Sequence, residues 1–590
     1  MRALSSTQRL GNAWGRALTL GVTILLTQAS FAANPKIAKD FPVTEPGKTV
    51  DVIVQFRQVP AEAQHAKVRG RGGELKHELS ASKASAYSLP AEALESLADD
   101  PDVTYISPDR PVRGASFEYA APSVSADLAW KAGWDGRGIG VAIIDSGVDS
   151  TLPDLWIAGS PGKSRVVYSE DFTGSGNTKD AHGHGTHVAG LVAGNGAAST
   201  GSLFTTTFKG SAPQANLISL KVLDSQGMGT ESAVINAIQR AIALKKTYNI
   251  RVINLSLGRP VFEAYNLDPL CLAVEAAWKA GIVVVVAAGN DGRDNTYGTE
   301  GYGLIASPAN DPYVITVGAM KTAGTASRGD DTVASYSSKG PTAIDHFAKP
   351  DLVAPGNRSV SLLDMSGSFP KTYPANMIAL NEYTVLKAPA SSPSYYKLSG
   401  TSMATPVVSA AAALLLQQDA SLTPDQVKAR LMKTASKNFP VYSVSVDPVT
   451  GATYQSQYDI FTIGAGYLDI SAALASTEKA SGTALSPRAA YNATTGQVTL
   501  VFDPSAVWGT SAAWGSRMAW GSTVFLSGTS AVWGAASAWG SSGTQGFGAI
   551  WGSSAAWGSK TAGKASTTSI NAATGVASPE SINIAIYGDN

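Results

Sequence analysis

Cysteine is almost absent from this 590-residue chain. A single Cys271 excludes an intrachain disulfide framework and any cysteine-based zinc module, and a lone cysteine reads as a small buried hydrophobe. Charge is scarce too. Charged residues make up 15% of the sequence, and Lys+Arg 45 cancels Asp+Glu 45. With no net charge there is no long-range field to draw the chain onto nucleic acid or an anionic membrane, so nucleic acid is not an expected partner. Long apolar runs are also missing. A span needs about 20 apolar residues, and the run at 17–26 is close to half that. Preceded by Arg2, Arg9 and Arg16 and followed by Ser30-Phe31-Ala32, it has the layout of a secretory signal over 1–32. No cysteine follows it to carry a lipid, so the expected mature protein is exported, disulfide-free and without a transmembrane segment.

Hydrophobic residues are plentiful at 44%, enough for a large core, and the length allows several domains. Residues 33–114 are charge-rich and read as a small α/β unit. Strands are expected at 50–56, 84–89 and 103–106, a short helix at 91–97, and a helix-compatible stretch at 61–79 weakened by Gly70, Gly72 and Gly73. From 115 to 476 short β-branched runs (140–144, 217–222, 252–255, 282–286 and 313–317) alternate with helix-like stretches such as 232–245 and 272–280. Continuous apolar strands between helices imply an α/β domain with a parallel sheet covered on both faces. A linker or small strand pair follows at 477–505, then a nearly uncharged repeat at 506–560 and a tail at 561–590.

Chemistry concentrates at three places in the large domain. The apolar run at 140–144 leads straight into Asp145-Ser146-Gly147, and the carboxyl ends of strands in an open parallel sheet form the ligand crevice. Taken alone, such an aspartate caps the next turn as readily as it catalyses. Second, His182-Gly183-His184-Gly185-Thr186-His187 holds half of the six histidines. It reads as a metal-binding cluster, as one general base at a helix start, or as a glycine-lined turn. Third, Gly400-Thr401-Ser402-Met403-Ala404-Thr405-Pro406 opens a strongly apolar helix, whose free amides and positive dipole end suit an oxyanion.

Together, Asp145-Ser146-Gly147, the run His184 to Gly190 and the run Gly400 to Pro406 resemble the three active-site motifs of subtilisin-like serine peptidases of the S8 family, in that family's order. The resemblance implies a three-layer α/β domain with a mostly parallel central sheet. It also implies a secreted serine endopeptidase acting on proteins or peptides. Ser402 would be the nucleophile, His184 the general base and Asp145 its partner, with no metal in the site. The stretch after 282–286 resembles the segment carrying the family's oxyanion asparagine, here Asn290. Ser256, Leu257 and Gly258 resemble the edge on which substrate is laid as an added strand. With Ala287, Ala288, Gly289 and Ala306 they would line a small uncharged pocket, giving broad cleavage after apolar residues. The residues at 194–201 do not match the family's strong calcium loop, and no cofactor is expected to be required; Asp154 reads as a turn cap or a remnant calcium ligand. The longer stretch 357–398 is expected to be a surface loop beside Ser402.

In this setting 33–114 resembles an inhibitory propeptide of the I9 type, a folding template and inhibitor in cis removed by self-cleavage around 111–121. The repeat has Trp-Gly at Trp508, Trp514, Trp520, Trp533, Trp539, Trp551 and Trp557, mostly six apart. An even spacing puts every Trp on one side of a strand, so a packed β ladder is the expectation, and an exposed strip contacting a polymer or cell surface the alternative. A function of a different class stands beside the peptidase: a catalytically silent relative acting in adhesion through that repeat.

Overall fold

The computed structural model describes residues 34–38, 48–109, 120–295, 299–385, 394–492, 497–501, 503, 505 and 579–589. The signal-like segment, most of the expected self-cleavage stretch and the Trp-Gly repeat lie outside the described residues. The chain divides into two compact units, Met1–Gly114 and Ala115–Asn590.

The first unit is an antiparallel sheet of β1 (Thr49–Phe56), β2 (Glu74–Leu79), β3 (Ala84–Pro90) and β4 (Val103–Pro108) in the order β2-β3-β1-β4, with helices Glu62–Arg69 and Ala93–Ala98. Val52, Val54, Phe56, Tyr87, Leu89 and Ile106 form its core. The helix-compatible stretch 61–79 is corrected here. The helix stops at Arg69 and the same stretch continues as β2, because three glycines in a row of four residues destabilise further helical turns by about 1 kcal/mol each.

In the second unit the alternating apolar runs become β5 (Gly140–Asp145), β6 (Val166–Asp171), β7 (Asn216–Lys221), β8 (Ile250–Leu255), β9 (Val283–Ala287), β10 (Ile315–Lys321), β11 (Thr332–Val333) and β12 (Leu352–Pro355). Their order is β11-β10-β9-β8-β5-β7-β6, with β12 against β10, and only the β10–β11 pair is antiparallel. Every residue of β5 is buried, as expected for a strand covered on both faces. Helices Glu231–Tyr248 and Pro269–Lys279 pack together against β5, β8 and β9, while His184–Ala193 and Thr401–Gln418 pack together against the sheet. This is the three-layer α/β arrangement. The strand order reverses at β5, placing β7 on one side of it and β8 on the other, so the ends of β5 and β8 border a topological switch point.

Residues 357–398 are not simply a surface loop. Their ends form β13 (Ser359–Leu362) and β14 (Tyr395–Leu398), paired antiparallel, and Tyr383, Tyr395 and Tyr396 are buried. Large aromatic rings drive that burial, and two of the three phenols find partners: Tyr395 donates to Asp154 Oδ2 at 2.8 Å and Tyr396 to the Tyr373 carbonyl at 2.9 Å. Asp154 also accepts the Ala198 N–H at 2.6 Å, and its burial pushes the carboxyl pKa up. The strand pair expected at 477–505 is present as Arg488–Asn492 with Gln497–Val501.

The tail, unassigned by the sequence, carries a helix at Pro579–Tyr587 whose Ile584 and Ile586 are buried in the main core. Beyond it Asp589 is fully enclosed. Its carboxylate meets Arg293 Nη2 at 2.6 Å and accepts the Ser335 N–H at 2.6 Å, while Arg293 Nη1 also meets Asp447 at 2.6 Å. Removing one partner of a buried pair costs up to about 3–5 kcal/mol, and Asp447 stays to hold part of the Arg293 charge. Asp589→Ala is expected to lower the unfolding free energy of the full chain on that scale, read from the urea midpoint. A shift under about 1 kcal/mol would mean that the tail is not an integral part of this unit.

Candidate active site

The site sits at the carboxyl edge of the parallel sheet. Asp145 ends β5 with no exposed surface, which is costly for a carboxylate unless donors surround it. Its Oδ1 accepts the Ser146 N–H at 2.8 Å and meets His184 Nδ1 at 2.8 Å. His184 opens the helix His184–Ala193, and its side chain keeps 17% of its surface exposed. The helix starts here because Asp180, buried, takes the amides of His182 at 3.1 Å, Gly183 at 2.7 Å and Thr186 at 2.7 Å. A carboxylate at a helix N-terminus satisfies unpaired amides and complements the dipole. Ser146 ties the two anchors together, its Oγ donating to Asp180 at 2.8 Å and accepting the Gly185 N–H at 2.9 Å. Gly185 has no alternative. A Cβ there would lie 2.2 Å from the Gly147 carbonyl oxygen and 3.2 Å from Asp145.

The three clustered imidazoles face different surroundings and do not converge. His187 is buried and its Nε2 lies 3.1 Å from the Ser359 carbonyl and 3.0 Å from that of Tyr396. Burial, reinforced by His184, pushes its pKa down to about 3. His182 packs its ring 4.8 Å from that of Phe369, and burial again, with His184 second, pushes its pKa down to about 4. For His184 burial also opposes the charge. There the Asp145 carboxylate, by charge and hydrogen bond, outweighs it and raises the pKa above the ordinary value. One of the three is therefore equipped to carry a proton near neutral pH.

Ser402 is the second residue of the helix Thr401–Gln418, so its amide has no partner within the helix. Its Oγ donates to the Ser256 carbonyl at 3.1 Å, and the Ser256 hydroxyl donates to the Ser402 carbonyl at 2.8 Å. The second bond has a local cause. Pro406, four residues on, lacks the N–H that would occupy the Ser402 carbonyl, and Ser256 supplies a donor instead. Asn254 donates to Ser256 Oγ at 3.0 Å and accepts Ser409 Oγ at 2.8 Å, which fixes the group. The Ser402 hydroxyl thus points at Ser256 rather than at the imidazole in this structure, and a χ1 rotation is the move that redirects it.

His184, Ser402 and Asn290 line one cavity of about 450 Å³. Asn290 follows β9, and its Oδ1 accepts both the N–H of Thr401 at 2.9 Å and its hydroxyl at 3.0 Å. Those two donors fix Oδ1 as the accepting end, and among the described residues no acceptor takes the Asn290 NH₂. His184 also borders a second cavity of about 420 Å³, lined by Gly227–Gly229 on one side and Ser256, Leu257 and Gly258 on the other. Ala306 packs between Gly258 and Gly289, and its N–H donates to Ala288 at 3.0 Å. Ala287 and Ala288 are buried, so in this segment it is Gly289 and Asn290 that are partly exposed. The sequence reading missed Asp180, Asn254 and the Ser256 hydroxyl contact. Asp180 was findable, as an acidic residue just ahead of a helix-opening Gly-His pair; the other two exist only across β8 and the buried helix.

The sequence profile of the subtilase family matches residues 136–466. Serine protease AprX of Bacillus subtilis (strain 168) is 39% identical over 308 residues, covering 51% of this chain and 62% of AprX, less than two thirds of its length. Subtilisin E of the same strain is 34% identical over 390 residues, 65% of this chain and 84% of that protein. Subtilisin J of Geobacillus stearothermophilus is 33% identical over 426 residues, 71% of this chain and 92% of that protein.

Imidazole Cε1 NMR titration checks the electrostatics of the histidine cluster. His184 is expected to titrate above pH 6.5, while His182 and His187 stay neutral down to about pH 4 and about pH 3. In Asp145→Asn burial is opposed only by the weaker effect of the Asp180 charge, so the His184 midpoint should fall. A midpoint that stays put would show that Asp145 does not govern it.

Proposed function

The chain belongs to the subtilase family, and on that premise we propose that Ser402, His184 and Asp145 perform its serine endopeptidase chemistry. The observation that carries this reading is the 2.8 Å contact of His184 Nδ1 with Asp145 Oδ1, on the wall of the cavity that Ser402 and Asn290 share. With Nδ1–H donated to Asp145, the lone pair sits on Nε2, the nitrogen left to take the proton of Ser402 Oγ. The serine oxygen then attacks the scissile carbonyl, the imidazolium forms opposite a buried carboxylate, and the same proton goes to the leaving amine. The oxyanion that develops would be met by the Asn290 side-chain N–H and the first-turn amide of Ser402. No cofactor is required by this reading.

Substrate would lie as an extended strand between Gly227–Gly229 and Ser256–Gly258, held by main-chain hydrogen bonds that tolerate many sequences. The small uncharged surroundings of Gly258, Gly289 and Ala306 favour an apolar residue before the scissile bond. Residues 33–114, within the compact unit Met1–Gly114, are read as an inhibitory propeptide of the I9 type and residues 1–32 as a signal for secretion, which together make the product a self-processing exported zymogen.

A fluorophosphonate probe is expected to label the full chain and to fail on Ser402→Ala. The same variant should keep its N-terminal unit, seen as a longer intact mass than the self-processed protein. Unlabelled wild-type protein would favour the silent, adhesive alternative. Asp145→Asn should lower kcat by about 10⁴, the scale known for triad aspartates in other serine peptidases. Asn290→Ala should lower it by about 10²–10³, the scale known from a subtilisin. Changes under tenfold in steady-state hydrolysis of a peptide substrate would remove either residue from its role.

A further inference from the structure

The docked C-terminal segment lies well beyond the family-matched region, which ends at residue 466, and yet it reaches the cleft. Three observations locate it. The Ala585 carbonyl accepts the N–H of Ser399 at 2.9 Å, three residues before Ser402, and the Ile586 carbonyl accepts Asn376 Nδ2 at 2.7 Å. The helix Pro579–Tyr587 packs against β14, the strand that leads into the Ser402 turn. Ile582 and Ala585, both partly exposed, line the cavity that holds Ser402, His184 and Asn290, and neither lines the cavity along Ser256–Gly258.

The two cavities adjoin along His182, His184, Gly227 and Met228, which border both. A peptide bound along Ser256–Gly258 places the residues before the scissile bond in that groove. The residues after it must then leave on the other side of Ser402, into the cavity that Ile582 and Ala585 border. Phe369, Tyr373 and Met403 add apolar surface there, beside the polar Gln226, Ser368 and Thr372. The tail is held firmly enough to act as a wall, since Asp589 is locked to Arg293 and Ser335, and the Asn357 side chain bonds both the N–H and the carbonyl of Asp589, at 2.8 and 3.2 Å.

We propose that the C-terminal segment 579–589 forms the leaving-group wall of the cleft, and that Ile582 and Ala585 select an apolar side chain immediately after the scissile bond. This rests on Ser402 being the nucleophile. The wall makes a segment more than 110 residues beyond the family-matched region a determinant of which bonds are cut.

The test uses the full chain and internally quenched peptides identical up to the scissile bond, followed by Leu, Gly, Lys or Glu. Wild type is expected to prefer Leu in kcat/KM. In Ile582→Glu the Leu-to-Lys ratio should fall by roughly tenfold or more, the scale of one misfit in an apolar pocket. In Ala585→Trp, which fills the cavity, preference should move from Leu towards Gly by a similar factor. Both side chains are partly exposed, so either variant decides the matter if the other folds poorly. Ratios within about twofold of wild type, with fluorophosphonate labelling of Ser402 intact, would overturn the wall while leaving the nucleophile standing. No labelling of the wild-type protein would overturn both. A purely structural tail would change overall rates, not the ratio between leaving-group residues.

Discussion

A carboxylate with no exposed surface at the end of a parallel strand is the constraint around which this molecule is arranged. Asp145 is sealed by β5, by the Ser146 amide and by the His184 imidazole. In a low-dielectric setting such a charge persists only where donors are fixed in place. Ser146 and Asp180 fix them, by binding the first turn of the His184 helix from below. Gly185 permits the approach, because any side chain would strike the Gly147 carbonyl. Helix start, strand end and imidazole orientation are therefore one cooperative unit.

The same buried charge sorts the histidines. Burial alone would leave all three neutral, as it leaves His182 and His187. The Asp145 carboxylate reverses the balance at His184 only, because that is the ring it touches. The apolar helix from Thr401 brings Ser402 to the same edge. The missing N–H of Pro406 draws the Ser256 hydroxyl onto the Ser402 carbonyl, which stitches the proposed nucleophile to the proposed substrate edge. Two grooves share His184 on their borders, one also bordered by Ser256–Gly258 after β8 and the other by the segment 579–589.

Much of this was legible before any coordinates. The β-branched runs were long enough and apolar enough to be buried strands, and all five became neighbours in one sheet. The expectations that failed did so for physical reasons. Residues 61–79 read as helix-compatible, weakened by three glycines, because polar residues suit either state, and the glycines at 70, 72 and 73 decided the break. Residues 357–398 looked like a loop because of their Pro and Ser content. The buried tyrosines and the β13–β14 pairing hold much of it in the core instead.

What the sequence by itself determined is the chemistry and its order along the chain: an aspartate after a buried strand, a histidine at a helix start, a serine at the head of an apolar helix. Those features are local, and local periodicity and residue type carry them. What only the tertiary structure decided is everything that depends on distant residues meeting. It decided that Asp180 caps the His184 helix beneath Asp145, that Asn254 and Ser256 brace Ser402, and that Asp589 reaches Arg293 across nearly 300 positions to seat the tail beside the cleft. Such contacts follow from the packing of the layers, and no spacing within a single segment encodes them.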